Sequence, residues 1–443
     1  MMNIRCRRAA PLAAALFLLA AGAAWSAGRA ELLKHVDKDA SYLRRLYEHL
    51  HSHPELSLNE VDTAKRIAEE LRRAGYSVTE GVGGRGVVGL LKNGDGPTVL
   101  IRADMDALPV AEKTGAPYAS KVTTKDHKGN KVSVMHACGH DVHMASLVGA
   151  ARALAASRAA WSGTLVLVGQ PAEERGKGAL KMLQDGLYTR FPRPDYALAL
   201  HAASAMTVGK AGYTAGFYNA GIDAADITVR GVGGHGAYPH TTKDPIVLAA
   251  QIVNALQTIV SRELKPTDDA VVTVGTIHGG TKRNIIPEEV KLELTIRWRE
   301  EPVREKILRA IRRLAENTAR AAGFPEDRLP VVKFYEPYLP PGYNDPALTA
   351  RLLPVLREVF GPDNVAGNLP GMGGDDFARY GRVEPPVPSF MFRLGVVTPA
   401  AMRESPDGPP GLHSPTFLPD PERAPPAGAK ALAATAFELL RPE

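Results

Sequence analysis

Residues 135–144 read MHACGHDVHM and place three histidines, one cysteine and one aspartate within ten positions. Cys138 and His140 lie on either side of a glycine, so both side chains can point into one site. Cysteine, histidine and carboxylate side chains are the groups that bind Zn²⁺ and similar transition metals. Asp141 could bind the same metal or cap the helix that the Ala-rich run 142–156 predicts. The rest of the chain has to supply the remaining ligands.

Around this cluster, apolar runs typical of buried strands alternate with helical segments. The strands are predicted at 86–91, 98–103, 164–169 and 196–200, and the helices at 40–50, 60–74 and 142–156. Several strands end in polar residues, and the order strand, polar cluster, helix and strand is typical of a largely parallel sheet covered by helices. Such sheets place their sites at strand ends. We therefore predict an α/β catalytic domain with a mainly parallel sheet flanked by helices.

The first polar cluster is RADMDALP, which carries Asp104 and Asp106 directly after a strand. A carboxylate at a strand end can orient a metal-binding histidine through the other ring nitrogen. An aspartate in this position can also cap a turn. We count Asp106 among the predicted catalytic residues.

Glu173 and Glu174 follow the next strand, in QPAEE. Adjacent carboxylates at a strand end point in different directions, so one can bind metal while the other serves as a general base. His201, after DYALAL, and His413, in GLHSPTF, add two imidazoles. The candidate metal ligands are Cys138, His140, Glu174, His201 and His413. Five ligands exceed one tetrahedral zinc and predict two divalent ions, Zn²⁺, Mn²⁺, Co²⁺ or Ni²⁺, sharing a bridging group, with Glu173 as the base.

The sequence pattern changes near residue 220. Strand, helix, strand, strand, helix and strand are predicted at 226–230, 245–264, 271–277, 290–298, 301–322 and 331–335. This βαββαβ order is that of the ferredoxin-like split β-α-β unit. We predict an inserted α+β domain at 220–336, while residues 31–219 and 337–443 form the catalytic domain.

Residues 1–26 have the pattern of a secretory signal peptide: the basic segment IRCRR, an apolar run and then small residues. The apolar run has about 14 residues, short of the roughly 20 that a membrane anchor needs. We expect an exported protein, either periplasmic or secreted. Cys6 lies in this segment, so the mature chain keeps only Cys138 and forms no internal disulfide. A lone thiol in an oxidising compartment favours a metal-bound cysteine.

The net charge of +6 owes half its value to Arg5, Arg7 and Arg8 in that first segment. No run of Lys and Arg has the form of a nucleic-acid footprint. The expected partner is therefore a small-molecule substrate, with no nucleic acid and, once the signal is cleaved, no membrane.

Nine segments, together and in this order, resemble the co-catalytic metallopeptidases and amidohydrolases that include hippurate hydrolase, aminoacylase and glutamate-releasing carboxypeptidase. The most similar branch is the N-acyl-amino-acid amidohydrolases, which also contains the plant auxin-conjugate hydrolases. The segments are LHSHPELSLNE, RADMDALP, MHACGHD, QPAEE, LALHA, GGHGAYPH, RNIIPEE, GGDDFA and LHSP. They extend from residue 50 to residue 415 and cover nearly the whole mature chain.

The resemblance implies that the five candidate ligands bind two metals and that Glu173 is the base. It also implies that the inserted domain is a lid that often forms the contact of a homodimer. His235 matches a lid histidine that polarises the scissile carbonyl, and Asn284 and Arg297 match positions that hold the substrate carboxylate or carbonyl. An arginine suits bidentate carboxylate binding, although Arg297 could also be an exposed strand residue.

The chain departs from the family pattern in three places. Ser133 stands where this branch usually has glycine, the hairpin at 121–132 is longer than usual, and HAASAM follows where the family often has His-Ala-x-Pro. The hairpin borders the proposed site. These differences bear on the substrate and leave the predicted metal site intact.

The expected function is that of an exported two-metal hydrolase that cleaves the amide bond of an N-acyl amino acid or small peptide with a free carboxylate. A metal-activated water would attack, with a glutamate as general base. A dipeptidase or carboxypeptidase-type exopeptidase is an alternative, as is a non-catalytic protein that binds amino-acid conjugates on this scaffold. A metal-independent hydrolase with Cys138 as nucleophile would leave His201, His413 and Glu174 without a task.

Overall fold

The computed structural model describes residues 10–367 and 370–441, with side chains from residue 25 onward. The chain divides into two compact units. The first contains the residues up to 216 together with 344–369 and 379–443, and the second contains 217–343 and 370–378. The predicted insert, 220–336, lies inside the second unit, which also takes in 370–378, a segment that the sequence analysis assigns to the catalytic domain.

The described residues form eighteen strands and ten helices. The strands are β1 (Ser77–Val82), β2 (Gly86–Asn93), β3 (Thr98–Asp104), β4 (Thr123–Lys125), β5 (Lys131–Ser133), β6 (Gly163–Gln170), β7 (Tyr196–Thr207), β8 (Ala211–Tyr213), β9 (Gly216–Phe217), β10 (Gly221–Arg230), β11 (Gly234–His235), β12 (Ala270–Gly279), β13 (Ile285–Ile286), β14 (Glu289–Trp298), β15 (Val331–Phe334), β16 (Tyr343–Asn344), β17 (Val365–Gly367) and β18 (Ser389–Val397). The helices are α1 (Ala10–Ser52), α2 (Val61–Arg73), α3 (His140–Ala156), α4 (Gly178–Gln184), α5 (Pro245–Thr258), α6 (Glu301–Ala321), α7 (Pro346–Phe360), α8 (Ala378–Gly381), α9 (Pro399–Glu404) and α10 (Ala424–Leu439).

The first unit is built on an eight-stranded sheet with the order β1-β2-β6-β3-β7-β18-β8-β17. Its central strands β6, β3, β7 and β18 run parallel to one another. The pairs β1–β2, β2–β6 and β8–β18 are antiparallel, and β17 runs parallel to β8. Every residue of β3 is buried, because helices cover both faces of a parallel sheet. The predicted α/β fold with a mainly parallel sheet is confirmed.

Helices α1, α3 and α10 pack against one another beside this sheet. Almost every residue of α3 and α10 is buried, as expected for helices that are apolar on all sides. The helix predicted at 40–50 is the carboxyl-terminal part of α1, which begins much earlier.

Residues 1–9 of the predicted signal peptide lie outside the described residues, and the side chains of 10–24 are not described. The signal peptide therefore stays a prediction. Within the described part of the chain, no helix combines the length and the apolar character that crossing a membrane requires.

The second unit contains a four-stranded antiparallel sheet with the order β12-β14-β10-β15. Helix α5, extended by a π-helical turn at Ile259–Glu263, packs with α6 over this sheet. A separate apolar core includes Ile227, Leu292 and Ile311. The chain order β10-α5-β12-β14-α6-β15 confirms the predicted ferredoxin-like unit.

A buried ion pair stabilises the second unit. The Arg304 guanidinium donates to both carboxylate oxygens of Asp223 at 2.8–3.1 Å, and Trp298 Nε1 donates to Asp223 Oδ2 at 2.6 Å. The guanidinium also lies 3.7 Å from the ring centre of Tyr338. Removal of Asp223 would leave a buried cation without its main counter-charge.

We predict that Asp223→Ala lowers the free energy of unfolding by about 3–5 kcal/mol, because breaking a buried pair strands the remaining charge. Glu301 contacts the same Arg304 from an exposed position, so Glu301→Ala serves as the matched control and should cost less than about 1 kcal/mol. Urea unfolding followed by circular dichroism measures both. A loss below 1 kcal/mol for Asp223→Ala would contradict this account.

Candidate metal centre

The candidate ligands come from four places in the first unit. Cys138 lies just before α3, His140 is the first residue of α3, His201 lies in β7 and His413 lies in the loop after α9. Glu174 belongs to a short 3-10 turn, Glu173–Arg175, that follows β6. Strands β6, β3 and β7 are parallel neighbours, so the residues at their carboxyl ends meet at one edge of the sheet.

All five predicted ligands come together there, in two groups that overlap. Donor atoms of Cys138, His140 and His201 lie within 4.8 Å of one another, and so do those of Cys138, Glu174 and His413. The Cys138 Sγ lies 3.7 Å from His201 Nε2, and His413 Nε2 lies 3.6 Å from Glu174 Oε1. Because Cys138 belongs to both groups, its sulfur is the candidate bridging ligand.

Hydrogen bonds leave the ligating atoms of this centre available. The Nδ1–H of His140 donates to the Asp106 carbonyl oxygen at 2.7 Å, and that of His201 donates to the Ala202 carbonyl oxygen at 2.8 Å. The His140 Nε2 and Glu174 Oε1 are buried without a hydrogen-bond partner among the described residues. Buried polar atoms are stable only when something satisfies them, and a cation between these donors would do so. The donor set fits a metal.

Burial and neighbouring charges together shift the pKa values of the ligands. Although burial opposes it, the charge of Asp104 raises the pKa of His140 well above its ordinary value. Burial raises the pKa of the Cys138 thiol well above its ordinary value and that of Glu174 to about 7, and it holds the pKa of His201 well below its usual range. His201 is therefore a neutral imidazole, the form that binds metal. The thiolate and the carboxylate need a positive charge beside them, which a divalent cation supplies.

Two residues shape the centre from its edges. Gly139 has a left-handed backbone (φ 86°), and a Cβ there would lie 2.8 Å from the Cβ of Ala202, so glycine lets the α3 start approach β7. His413 also has a left-handed backbone (φ 68°), and its N–H donates to the Ala137 carbonyl oxygen at 2.7 Å. This bond ties the last ligand to the loop that carries Cys138.

Asp106 holds the two glutamates through their backbone. Its Oδ1 accepts from Glu173 N at 3.1 Å, and its Oδ2 accepts from Glu174 N at 3.0 Å and from the Ser57 hydroxyl at 2.6 Å. Its carbonyl oxygen orients His140, as described above. Asp106, predicted as catalytic, is thus placed to position the turn that carries the two glutamates.

Glu173 and Glu174 project from one tight turn toward the same histidine, although the sequence predicted that they point in different directions. Their Oε2 and Oε1 atoms lie 3.9 and 3.8 Å from His140 Nε2, and Glu173 is 8% exposed. A Cβ at Gly178 would lie 1.6 Å from the Pro171 carbonyl oxygen, so only glycine closes this turn. The base predicted by sequence lies beside the ligands.

Asp104 orients a histidine, but not one of the predicted ligands. Its Oδ1 accepts from His143 Nδ1 at 2.6 Å, and its Oδ2 accepts from Arg102 at 2.7 Å and lies 3.5 Å from His140 Nε2. The His143 Nε2 accepts from Ala202 N at 2.8 Å. Both ring nitrogens of His143 are therefore engaged, and this histidine braces β7 next to His201.

The sequence left open whether Asp141 binds metal or caps α3. In the structure its carboxylate contacts His51 instead of a metal-ligand group. Its Oδ2 lies 2.7 Å from His51 Nδ1, and its Oδ1 accepts from Val142 N at 2.8 Å in the first turn of α3. His51 Nε2 lies 3.0 Å from Glu112 Oε1. Although burial opposes the charge, the two carboxylates raise the pKa of His51 to about 9, so it is an imidazolium. Sequence analysis missed this clamp, because Glu112 lies 61 residues from His51 in an irregular segment.

The residues predicted to contact substrate lie in the second unit. Strands β11 and β13 pair His235 with Ile285, and Gly236 N donates to the Asn284 carbonyl oxygen at 2.9 Å, so His235 and Asn284 are neighbours. His235 Nδ1 accepts from Ala237 N at 3.0 Å, which makes Nε2 the N–H donor. Arg297 is half-buried in β14, and among the described residues its guanidinium has no ion-pair partner. Burial lowers its pKa.

A sheet-edge cluster of thiol, imidazole and carboxylate donors beside a pair of glutamates defines a metal-dependent hydrolase. Comparison with known families identifies it further: residues 100–437 match peptidase family M20/M25/M40. The chain belongs to this family, and it is a hydrolase of that family. The family predicted from the nine segments is confirmed.

Three curated relatives show the breadth of this similarity. The chain is 38% identical to thermostable carboxypeptidase 1 of Saccharolobus solfataricus over 354 residues, which cover 79% of this chain and 85% of the relative. It is 37% identical to N-acetyl-L-cysteine deacetylase of Bacillus subtilis over 349 residues, 79% of each. It is 36% identical to hippurate hydrolase of Campylobacter jejuni over 339 residues, 76% of this chain and 84% of the relative.

A solved structure agrees with the fold. A dinuclear metal-binding peptidase of the M20 family from Bacillus subtilis aligns with a TM-score of 0.72 at 31% sequence identity. The alignment covers 91% of this chain and 99% of that protein. The prediction of a metal-dependent hydrolase with a catalytic domain and a lid is confirmed.

The His51 clamp predicts a pH dependence of stability. Its pKa is raised from 6.5 to about 9 by folding, so its contribution is fully present below pH 6.5 and is lost as the pH rises through 9. We expect the metal-free protein to lose up to about 3 kcal/mol across this window, and His51→Gln to lose much less. Urea unfolding at several pH values measures this, with His53→Gln, an exposed neighbour, as control. If the free energy of unfolding fell equally steeply with pH in the wild type and in His51→Gln, the role of His51 would be contradicted.

Proposed function

We propose that this protein is a two-metal amidohydrolase that cleaves the amide bond between an acyl group and an amino acid with a free carboxylate. The observation that carries the proposal is the membership of Cys138 in both ligand groups, with two glutamates beside them. The family relatives named as N-acetyl-L-cysteine deacetylase and hippurate hydrolase support the substrate class.

Cys138, His140 and His201 would hold one ion, and Cys138, Glu174 and His413 the other. Thiolate and imidazole donors suit Zn²⁺, and Mn²⁺, Co²⁺ or Ni²⁺ can also fill such sites. Divalent ions bound there lower the pKa of water and polarise a carbonyl oxygen. The solved relative described as dinuclear supports two ions.

Glu173 is the proposed general base. Its carboxylate takes a proton from the attacking water and gives it to the amine nitrogen that leaves. Asp106 fixes its backbone, and the closed turn at Gly178 limits its movement. Burial around this carboxylate keeps bulk water from competing for the proton.

The second unit would supply the substrate contacts. Arg297 presents a guanidinium suited to the free carboxylate of the amino acid. His235 carries its proton on Nε2, so it can donate to the scissile carbonyl oxygen. Asn284, its neighbour across the β11–β13 ribbon, can hold a second polar group.

A carboxypeptidase-type exopeptidase is the second candidate, and the thermostable carboxypeptidase relative favours it. Both activities require a carboxylate on the amine side of the bond, and they differ in what lies on the acyl side. We further propose export, on the strength of the basic and apolar pattern of residues 1–26.

A homodimer through the second unit is also proposed. Strand β12 is an edge of the four-stranded sheet, so its outer backbone groups have no strand partner within the sheet, and edge strands of this kind pair readily with a second copy. Ile277 on this strand and Val247 on α5 are 52% and 55% exposed. Apolar side chains beside an open edge favour such an interface.

Glu173→Gln should lower kcat at least 1000-fold, because the amide cannot accept the proton, while the bound metal remains. Hydrolysis of N-acetyl amino acids, hippurate and dipeptides measures activity, and mass spectrometry measures metal content. Glu174→Gln is the matched comparison and should lose metal as well. A Glu173→Gln variant that stays within tenfold of the wild type would contradict the role of Glu173.

Ile277→Lys should yield a monomer, because the charge would be buried in the proposed β12 interface. Val331→Lys is the matched control: Val331 is 49% exposed on β15, the opposite edge of the same sheet. Light scattering coupled to gel filtration should give a dimer for the wild type and for Val331→Lys. A monomeric wild type, or a dimeric Ile277→Lys variant, would refute the interface.

A further inference from the structure

The turn that carries the two glutamates has three successive backbone N–H groups that donate hydrogen bonds to carboxylates. The two accepting carboxylates are those of Asp106 and Glu60. Asp106 accepts from the N–H groups of Glu173 and Glu174, as described above. The preceding N–H, that of Ala172, donates to Glu60 Oε1 at 2.7 Å. Glu60 lies directly before α2, 112 residues away in sequence.

The backbone at this point is one that needs external support. Ala172 is a non-glycine residue in the left-handed region, with φ 53°. Such conformations persist only where the surroundings determine them. Successive N–H groups in this kind of turn form a concave site for negative charge. Glu60 and Asp106 occupy that site from two different elements, so the turn does not depend on one carboxylate alone.

The side chain of Glu60 makes no capping bond to α2, although the residue occupies the position before its first turn. It is completely buried, and burial together with the charge of Asp106 raises its pKa to about 7. Its Oε2 has no hydrogen-bond partner among the described residues. A buried carboxyl beside another carboxylate is unfavourable for folding, so its retention points to the backbone N–H groups that it contacts, above all that of Ala172.

We propose that Glu60 is a positioning residue for the reaction: its hydrogen bond to Ala172 N–H fixes the backbone from which the base Glu173 and the ligand Glu174 project. The proposal rests on the function proposed above for Glu173. Glu60 contacts neither the ligand atoms nor a substrate. Its loss should therefore misplace the base without removing a metal ligand.

The test compares Glu60→Met, which keeps the volume and removes the acceptor, with Glu60→Gln, which keeps an acceptor oxygen. Glu60→Met should lower kcat 10- to 100-fold with KM within threefold, and metal content should match the wild type. Glu60→Gln should retain kcat within threefold. Glu69, a half-exposed glutamate on α2, provides the matched control, and Glu69→Met should behave as wild type.

Hydrogen exchange by mass spectrometry gives a readout that does not depend on activity. Peptides containing residues 172–174 should exchange faster in Glu60→Met than in the wild type. Their exchange rate in Glu60→Gln should equal that of the wild type. A wild type that hydrolyses no substrate when loaded with metal would defeat the proposed function, and the exchange data would then still decide whether Glu60 fixes this turn.

Three results would overturn the positioning role. They are a folded Glu60→Met variant with kcat within threefold of wild type, unchanged exchange at 172–174 in that variant, or a fall of more than tenfold in kcat for Glu60→Gln. If Glu60→Met does not fold, the Glu60→Gln result decides.

Discussion

Cys138, His140 and His201 are buried at one edge of a sheet. The partly buried Glu174 and the exposed His413 lie beside them, and a positive charge would satisfy this set of donors. Without it, burial raises the pKa of the Cys138 thiol well above its ordinary value and that of Glu174 to about 7. The His140 Nε2 and Glu174 Oε1 atoms then lack hydrogen-bond partners among the described residues. The neighbouring structure serves this centre. Two backbone carbonyl groups orient His140 and His201, and two carboxylates hold the turn that bears the glutamates. The fold therefore provides the ligands, and a cation would satisfy them.

Sequence predicted those parts of the molecule that local patterns encode. Apolar patterns predicted strands β3 and β6 and the βαββαβ order of the second unit. Short motifs at strand ends predicted the five candidate ligands, whose donor atoms the structure brings together. This combination of residue types is rare enough that its order and spacing were sufficient to predict which side chains lie close together. The predicted ends of elements were less accurate, as α1 shows by extending well before the helix predicted at 40–50.

What sequence could not predict depends on contacts between distant segments. The clamp of Asp141 by His51 and Glu112 and the bond from Ala172 to Glu60 join residues without periodicity or shared motif. Asp104 illustrates the same limit: a carboxylate at a strand end does orient a histidine, but the partner is His143 rather than a ligand. His51 and Glu60 both lie in LHSHPELSLNE, so the motif was visible while its partners were not. Segment 370–378 likewise joins the second unit through contacts between distant segments, among them the hydrogen bond that Ala220 N donates to the Gly373 carbonyl oxygen.

Cys138 belongs to both groups of donor atoms, so it would be a ligand to each of two ions. Native mass spectrometry of the mature protein during titration with Zn²⁺ tests this central claim most directly, with Cys138→Ala measured in parallel. The account predicts saturation at two ions per chain in the wild type, and weakened binding of both ions in the variant, because each ion loses a ligand. Saturation of the wild type at one ion or none, or loss of only one ion in Cys138→Ala, would contradict it.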